Sequence, residues 1–124
     1  AQFRLPQNRY CIENRAADMT MNVYLALSMT MSAAVEGIEK KIHPGKPTDQ
    51  DLYDMSDSDF KKLGIKRLPK NLLMAIESLK NDKLTDEVLG PIMKKSLLAY
   101  KNDEWERYHQ AVTDWEVKEY LRLY

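Results

Sequence analysis

Arg4, Glu13 and Arg15 are the residues near the start of the chain whose types could do chemistry together. In the alternating run Tyr10-Cys-Ile-Glu-Asn-Arg, Arg15 faces the same way as Glu13 while Ile12 faces the opposite way. A carboxylate on a rigid strand can hold Mg²⁺ through a hard oxygen. Flanking guanidiniums grip phosphate and carboxylate oxygens two at a time. Such a face suits phosphoryl transfer. The same three charges also describe an ordinary salt-bridged hairpin surface, and spacing alone does not choose between the two.

Other groups that could carry chemistry are weaker. His43 stands beside a proline loop and His109 on a polar helix face, and neither has a cysteine or carboxylate at ligand spacing. Asp49, Asp51, Asp54, Asp57 and Asp59 resemble a calcium loop, but the sharp-turn glycine and the closing glutamate are missing, so loop solvation and helix capping account for them. Cys11 has no histidine placed by sequence to activate it. There is no glycine-rich phosphate loop, zincin motif or nucleophile elbow. Trp105, Tyr108, Trp115, Tyr120 and Tyr124 follow helical spacing and read as packing.

The elements that must hold these residues follow from patterning. Phe3 and Leu5 alternate with Gln2 and Arg4, Pro6-Gln-Asn makes a turn, and the second alternating run completes a short hairpin. From Met19 to Val35 no residue is charged, yet Asn22, Ser28, Thr30 and Ser32 interrupt the run, and a membrane span needs about 20 mostly apolar residues. The pattern predicts a buried helix over about 22–41, capped by Asp18 or Thr20, as the central element of the core. His43-Pro-Gly-Lys-Pro ends it. An irregular segment to about Pro69 is broken by one brief helix, in which Ser56 and Asp59 form a capping-box pair and Gly64 closes the turn. Pro69 then opens a helix with the stripe Leu72, Ile76 and Leu79. Pro91 opens a longer one with Met93, Leu97 and Tyr100, and Thr113 or Asp114 caps a last helix. The fold class is α+β and predominantly helical: an N-terminal β-hairpin followed by about four helices.

Composition narrows the function. The 124 residues hold 19 Lys plus Arg against 19 Asp plus Glu, so no footprint for nucleic acid or an anionic membrane is visible. One cysteine cannot make an internal disulfide and no signal peptide is visible, which fits a cytoplasmic setting. A start at Ala1 rather than methionine suggests a processed or excised piece.

The stretch IENRAADMTMNVYLAL resembles the glutamine synthetase pattern R-x-E-x-R-x-x-D-x-x-x-N-P-Y-L-A, in which the last core strand leads into a long buried helix. The segments GIEKKIHPGKPTDQDLYDMS, LGIKRLPKNLLMAIESLKND and YKNDEWERYHQAVTDWEVKEYLRLY resemble successive C-terminal segments of the same superfamily. The resemblance spans essentially all of 1–124 and implies the C-terminal part of a glutamine synthetase catalytic domain, with an active-site hairpin at 1–18 and a helical part at 19–124.

By that resemblance Glu13 matches the metal-ligating glutamate, the metal being Mg²⁺ or Mn²⁺. Arg15 matches the catalytic arginine that contacts glutamate and the transferring phosphoryl group, and Arg4 matches an arginine that meets the phosphates of ATP. Where the family has an arginine two residues before the glutamate, this chain has Cys11. Arg9, four before, either takes that place through a shifted turn or leaves one phosphate contact missing. The implied chemistry is an ATP-dependent ligation of glutamate with ammonia or a small amine through γ-glutamyl phosphate, in nitrogen metabolism. Implied partners are the remaining part of a synthetase chain and further copies in a homo-oligomer, with neither nucleic acid nor membrane. The other metal and substrate ligands of the family lie upstream of this stretch, so the chain alone is expected to be inactive. The alternative is a stand-alone helical module that binds synthetase subunits; a reading frame open upstream of Ala1 favours the fragment, and a start codon there favours the module.

Overall fold

The computed structural model describes residues 2–48 and 52–123. Asp49, Asp51 and Tyr124, weighed above, lie outside the described residues. In chain order the elements are β1 (Phe3–Arg4), β2 (Glu13–Asn14), α1 (Val23–Glu39), α2 (Asp57–Lys62), α3 (Leu72–Asn81), α4 (Lys83–Gln110) and α5 (Asp114–Tyr120). The fold is thus α+β and mostly helical, as patterning predicts. Two compact units divide at Lys66 and Arg67.

In the first unit β1 and β2 pair antiparallel, Phe3 opposite Asn14 and Arg4 opposite Glu13. The Arg15 N–H extends the ladder by donating to the Gln2 carbonyl at 2.8 Å. The pairing is shorter than the alternating runs suggest. Pro6 has no N–H to give, and the Cys11 N–H turns back to the Arg9 carbonyl at 3.1 Å, so 5–12 form a loop.

Asn22 caps α1, its side chain accepting from the N–H groups of Tyr24 and Leu25 at 3.0 and 3.2 Å. Asp18 and Thr20 are not the cap. The Asp18 carboxylate accepts instead from the Thr20 N–H at 2.7 Å, which makes a local turn before the helix. At the other end Lys41 takes φ 51°, while Lys41 and Ile42 donate to Ile38 and Gly37, closing a Schellman motif without a glycine. The prediction of a buried central helix is not met. No residue of α1 is buried, and Leu27 is 57% exposed. A helix that is apolar nearly all round needs protein on every side. Within this unit the other described elements are two two-residue strands and the six-residue α2, far too little surface to supply it. The α2 capping box of Ser56 and Asp59 and its closure at Gly64, φ 67°, form as the sequence indicates.

In the second unit Asn71, not Pro69, begins α3 by accepting from the Met74 N–H at 2.9 Å. Asp82 ends α3 and caps α4 at once, accepting from Thr85 at 3.0 Å. The helical turns at 83–89 are absent from the sequence reading, which starts a helix only at Pro91. Gly90, at φ 69° and ψ 169°, breaks α4 there, and Pro91 restarts it as a first-turn residue whose missing N–H costs nothing.

α3 packs on α4. Ile76 is the buried apolar residue between them, 3% exposed, and Leu72 and Leu79 are half-buried beside it. The stripe expected from α4 is corrected: Met93 and Tyr100 are exposed, and the covered face runs through Lys94, Leu97, Leu98 and Lys101. Lys94 lies inside because its ammonium finds partners there, donating to the Asp82 carbonyl at 3.0 Å and to Asp86 Oδ1 at 2.7 Å. Thr113 caps α5 through a capping box with Glu116. Among the described residues no helix is long and apolar enough to cross a membrane.

Candidate functional site

The hairpin assembles one cluster of charge. Because Arg4 and Glu13 are cross-strand partners, the Arg4 guanidinium meets the Glu13 carboxylate, Nη1 to Oε2, at 3.2 Å. The loop after Pro6 then brings Arg9 onto the other oxygen, its Nη2 donating to Glu13 Oε1. Glu13 is half-buried, whereas both guanidiniums reach solvent. The Arg9 guanidinium, and after it that of Arg4, holds the Glu13 carboxyl below the usual glutamate range. The carboxylate is therefore ionised and charge-paired on both oxygens.

Of the four residues singled out from the sequence, three come together. Arg15 does not join them: β2 ends at Asn14, and among the described residues the exposed Arg15 side chain makes no hydrogen bond or ion pair. Arg9 does reach Glu13 from the loop. Alternation alone places Arg4 and Arg15 beside Glu13; only the curl of the loop identifies Arg9 as the second partner. That same curl makes an open hollow lined by Leu5, Pro6, Arg9, Tyr10, Cys11 and Ile12, and the Cys11 thiol is exposed there.

The remaining candidates take structural parts. His43 Nδ1 accepts from the Gly45 N–H at 3.1 Å within the turn after α1. The His109 ring lies 3.8 Å from that of Trp105, centroid to centroid, on α4. Asp59 serves its capping box, where Ser56 holds its carboxyl below the usual range.

A divalent metal does not fit these residues by themselves. Among the described residues no three His, Cys, Asp or Glu side chains gather as a ligand set. The one carboxylate between Gln2 and Asn14, that of Glu13, has each oxygen engaged by an arginine. What the cluster consists of is two guanidiniums, one from β1 and one from the loop, converging on the two oxygens of one carboxylate.

Residues 2–120 match the model of the glutamine synthetase catalytic domain, and the chain belongs to that family. It is 35% identical over 112 residues to a glutamine synthetase of Methanococcus maripaludis, covering 90% of this chain and 25% of the relative. A glutamine synthetase of Archaeoglobus fulgidus is 38% identical over 112 residues, 90% of this chain and 23% of the relative. The glutamate--methylamine ligase of Methyloversatilis universalis is 35% identical over 122 residues, 98% of this chain and 27% of the relative. The chain thus spans about a quarter of the length of the curated relatives it matches.

Proposed function

We propose that these residues are the C-terminal part of an ATP-dependent ligase that joins glutamate to ammonia or a small amine. The reaction has two steps. The side-chain carboxylate of glutamate attacks the γ-phosphorus of ATP, the bond from that phosphorus to the bridging oxygen breaks, and ADP leaves. The amine nitrogen then attacks the acyl carbon of γ-glutamyl phosphate, the C–O bond to phosphate breaks with its electron pair leaving on phosphate, and the amine loses a proton.

Arg4 and Arg9 take the phosphates of ATP, and Arg15 takes the glutamate carboxylate and the phosphoryl group in transit. Their planar, permanently charged guanidiniums stabilise negative charge as it builds on the transferring oxygens. In the complete ligase Glu13 would supply one carboxylate ligand to a Mg²⁺ or Mn²⁺ ion, which would neutralise phosphate charge there, the other ligands coming from the rest of the chain. The observation that supports this reading most is the convergence of Arg4, by strand register, and Arg9, by the curl of the loop, on Glu13 in a chain of this family. Residues 1–18 act as the active-site hairpin and 19–124 as its helical support, in an enzyme assembled from several copies.

One carboxylate does not make a metal site, so the 124-residue chain by itself turns nothing over. Purified and given ATP, Mg²⁺, glutamate and either ammonia or methylamine, it is expected to release no phosphate above background. Robust metal-dependent release by clean protein would refute the proposal that a larger ligase is needed.

A further inference from the structure

We propose that Lys94 is the latch of a joint at Gly90: its ammonium ties the second half of α4 back to the turn where α3 ends, so that charge rather than volume fixes the bend between the two halves of the helix.

The joint comes from the backbone. Gly90 sits at φ 69° and ψ 169°, a conformation that residues with a side chain scarcely enter. A Cβ placed there would meet nothing within 4 Å, so the backbone angle and not crowding requires glycine. Pro91 has no N–H to give, and its ring turns the residue before it away from helical angles. The helix must therefore bend here. Glycine takes positive and negative φ with similar ease, so Gly90 permits a bend without setting its direction.

Lys94 supplies what Gly90 lacks. It stands one turn past the joint, and its Nζ donates to the Asp82 carbonyl at 3.0 Å and to Asp86 Oδ1 at 2.7 Å, acceptors twelve and eight residues back on the other side of Gly90. The anchor is stiff. The Asp82 carboxylate accepts from the Thr85 N–H at 3.0 Å, and the buried Thr85 hydroxyl lies 2.7 Å from the Asp82 carbonyl and 3.0 Å from that of Leu79. One ammonium thus joins the end of α3, the turns at 83–89 and the helix from Pro91 onward. The Lys94 side chain is only 7% exposed. An ammonium so enclosed is costly to leave unpaired, which keeps the latch shut. Apolar contacts around it have no preferred direction, whereas two hydrogen bonds of fixed length define an angle.

The test measures the bend separately from the fold, in the 124-residue chain. Nitroxides on Glu87→Cys and Glu106→Cys span the joint, and those on Ile92→Cys and Glu106→Cys lie wholly beyond it; all three positions are exposed. Cys11→Ser removes the native exposed thiol. Labelled chain is diluted into unlabelled chain, so that the electron–electron dipolar distances are intramolecular. Lys94→Met keeps the apolar stem and removes the charge. It is expected to widen the spanning distance distribution about twofold, while the 92–106 distribution and the far-UV circular dichroism stay as in wild type. Asp86→Ala keeps the lysine and removes one of its two acceptors, and a smaller widening is expected; this variant decides the matter if Lys94→Met loses helicity. A spanning distribution as narrow in the deciding variant as in wild type would overturn the latch and leave the bend to apolar packing. Equal widening of both pairs would overturn it as well, because the whole helix and not the joint would then have loosened.

Discussion

Glu13 shows how much a single residue's neighbours decide. Since Arg9 and Arg4 lower its pKa, the ion pairs help order the hairpin at pH values above the ordinary glutamate range, and that help fades as pH falls through the lowered value. A carbon-detected NMR titration should find the Glu13 carboxyl ionising below a free glutamate, and Arg9→Met should move it back up. An unshifted midpoint in the wild type would mean that the pairs do not persist in solution. That Arg4 and Glu13 belong to one charged hairpin face was readable from alternation; their direct pairing was not, because a turn at Pro6-Gln-Asn would set Arg4 opposite Tyr10, whereas the chain closes through the longer loop 5–12. Arg9 was not, because its reach depends on a loop whose path is set by Pro6 and by the Cys11-to-Arg9 hydrogen bond.

Helix boundaries depend on local chemistry, and several could be read as such: Ser56 with Asp59, Gly64, and Thr113, one of the two caps expected for the last helix, each act where sequence reasoning puts them. Asn22 was passed over for Asp18 and Thr20, although an asparagine just before an apolar run is an equally good cap. Asn22→Ala should cost α1 about 1 kcal/mol, visible as lost helicity at 222 nm on mild heating. The turns at 83–89 were hidden by the Gly90-Pro91 break, which looks like a boundary from the sequence and acts as a kink. Lys94 could not be placed inside by any hydrophobic pattern, since its burial depends on the Asp82 carbonyl and Asp86 being in reach. Lys94→Ala is expected to destabilise the α3–α4 pair by about 2 kcal/mol in urea unfolding, through lost charged hydrogen bonds and packing. Lys94→Met keeps the volume of the stem and should recover a large part of that loss. An alanine variant as stable as wild type would make the lysine's contacts incidental.

Across the whole molecule the fold class and the family were legible, because motifs spread over the full length agree with one another. The covering of α1 was not, because apolar residues announce that a helix needs partners and say nothing of where they are. With Val23, Leu27, Met31 and Val35 half exposed or more, the 124-residue chain should self-associate with concentration in sedimentation velocity. Leu27→Asp should reduce that association and leave the far-UV spectrum unchanged, whereas collapse of the spectrum would return Leu27 to a folded core.

If the hairpin is one wall of a ligase site, Glu13 acts there through its charge. The most direct measurement is turnover and melting of Glu13→Gln in the full-length ligase. The change keeps shape and hydrogen-bonding capacity and removes the charge that a cation and two arginines require. Turnover is expected to fall by about two orders of magnitude or more, with the melting temperature within about 2 °C of wild type. Wild-type turnover in that variant would contradict the claim and leave Glu13 a surface acid.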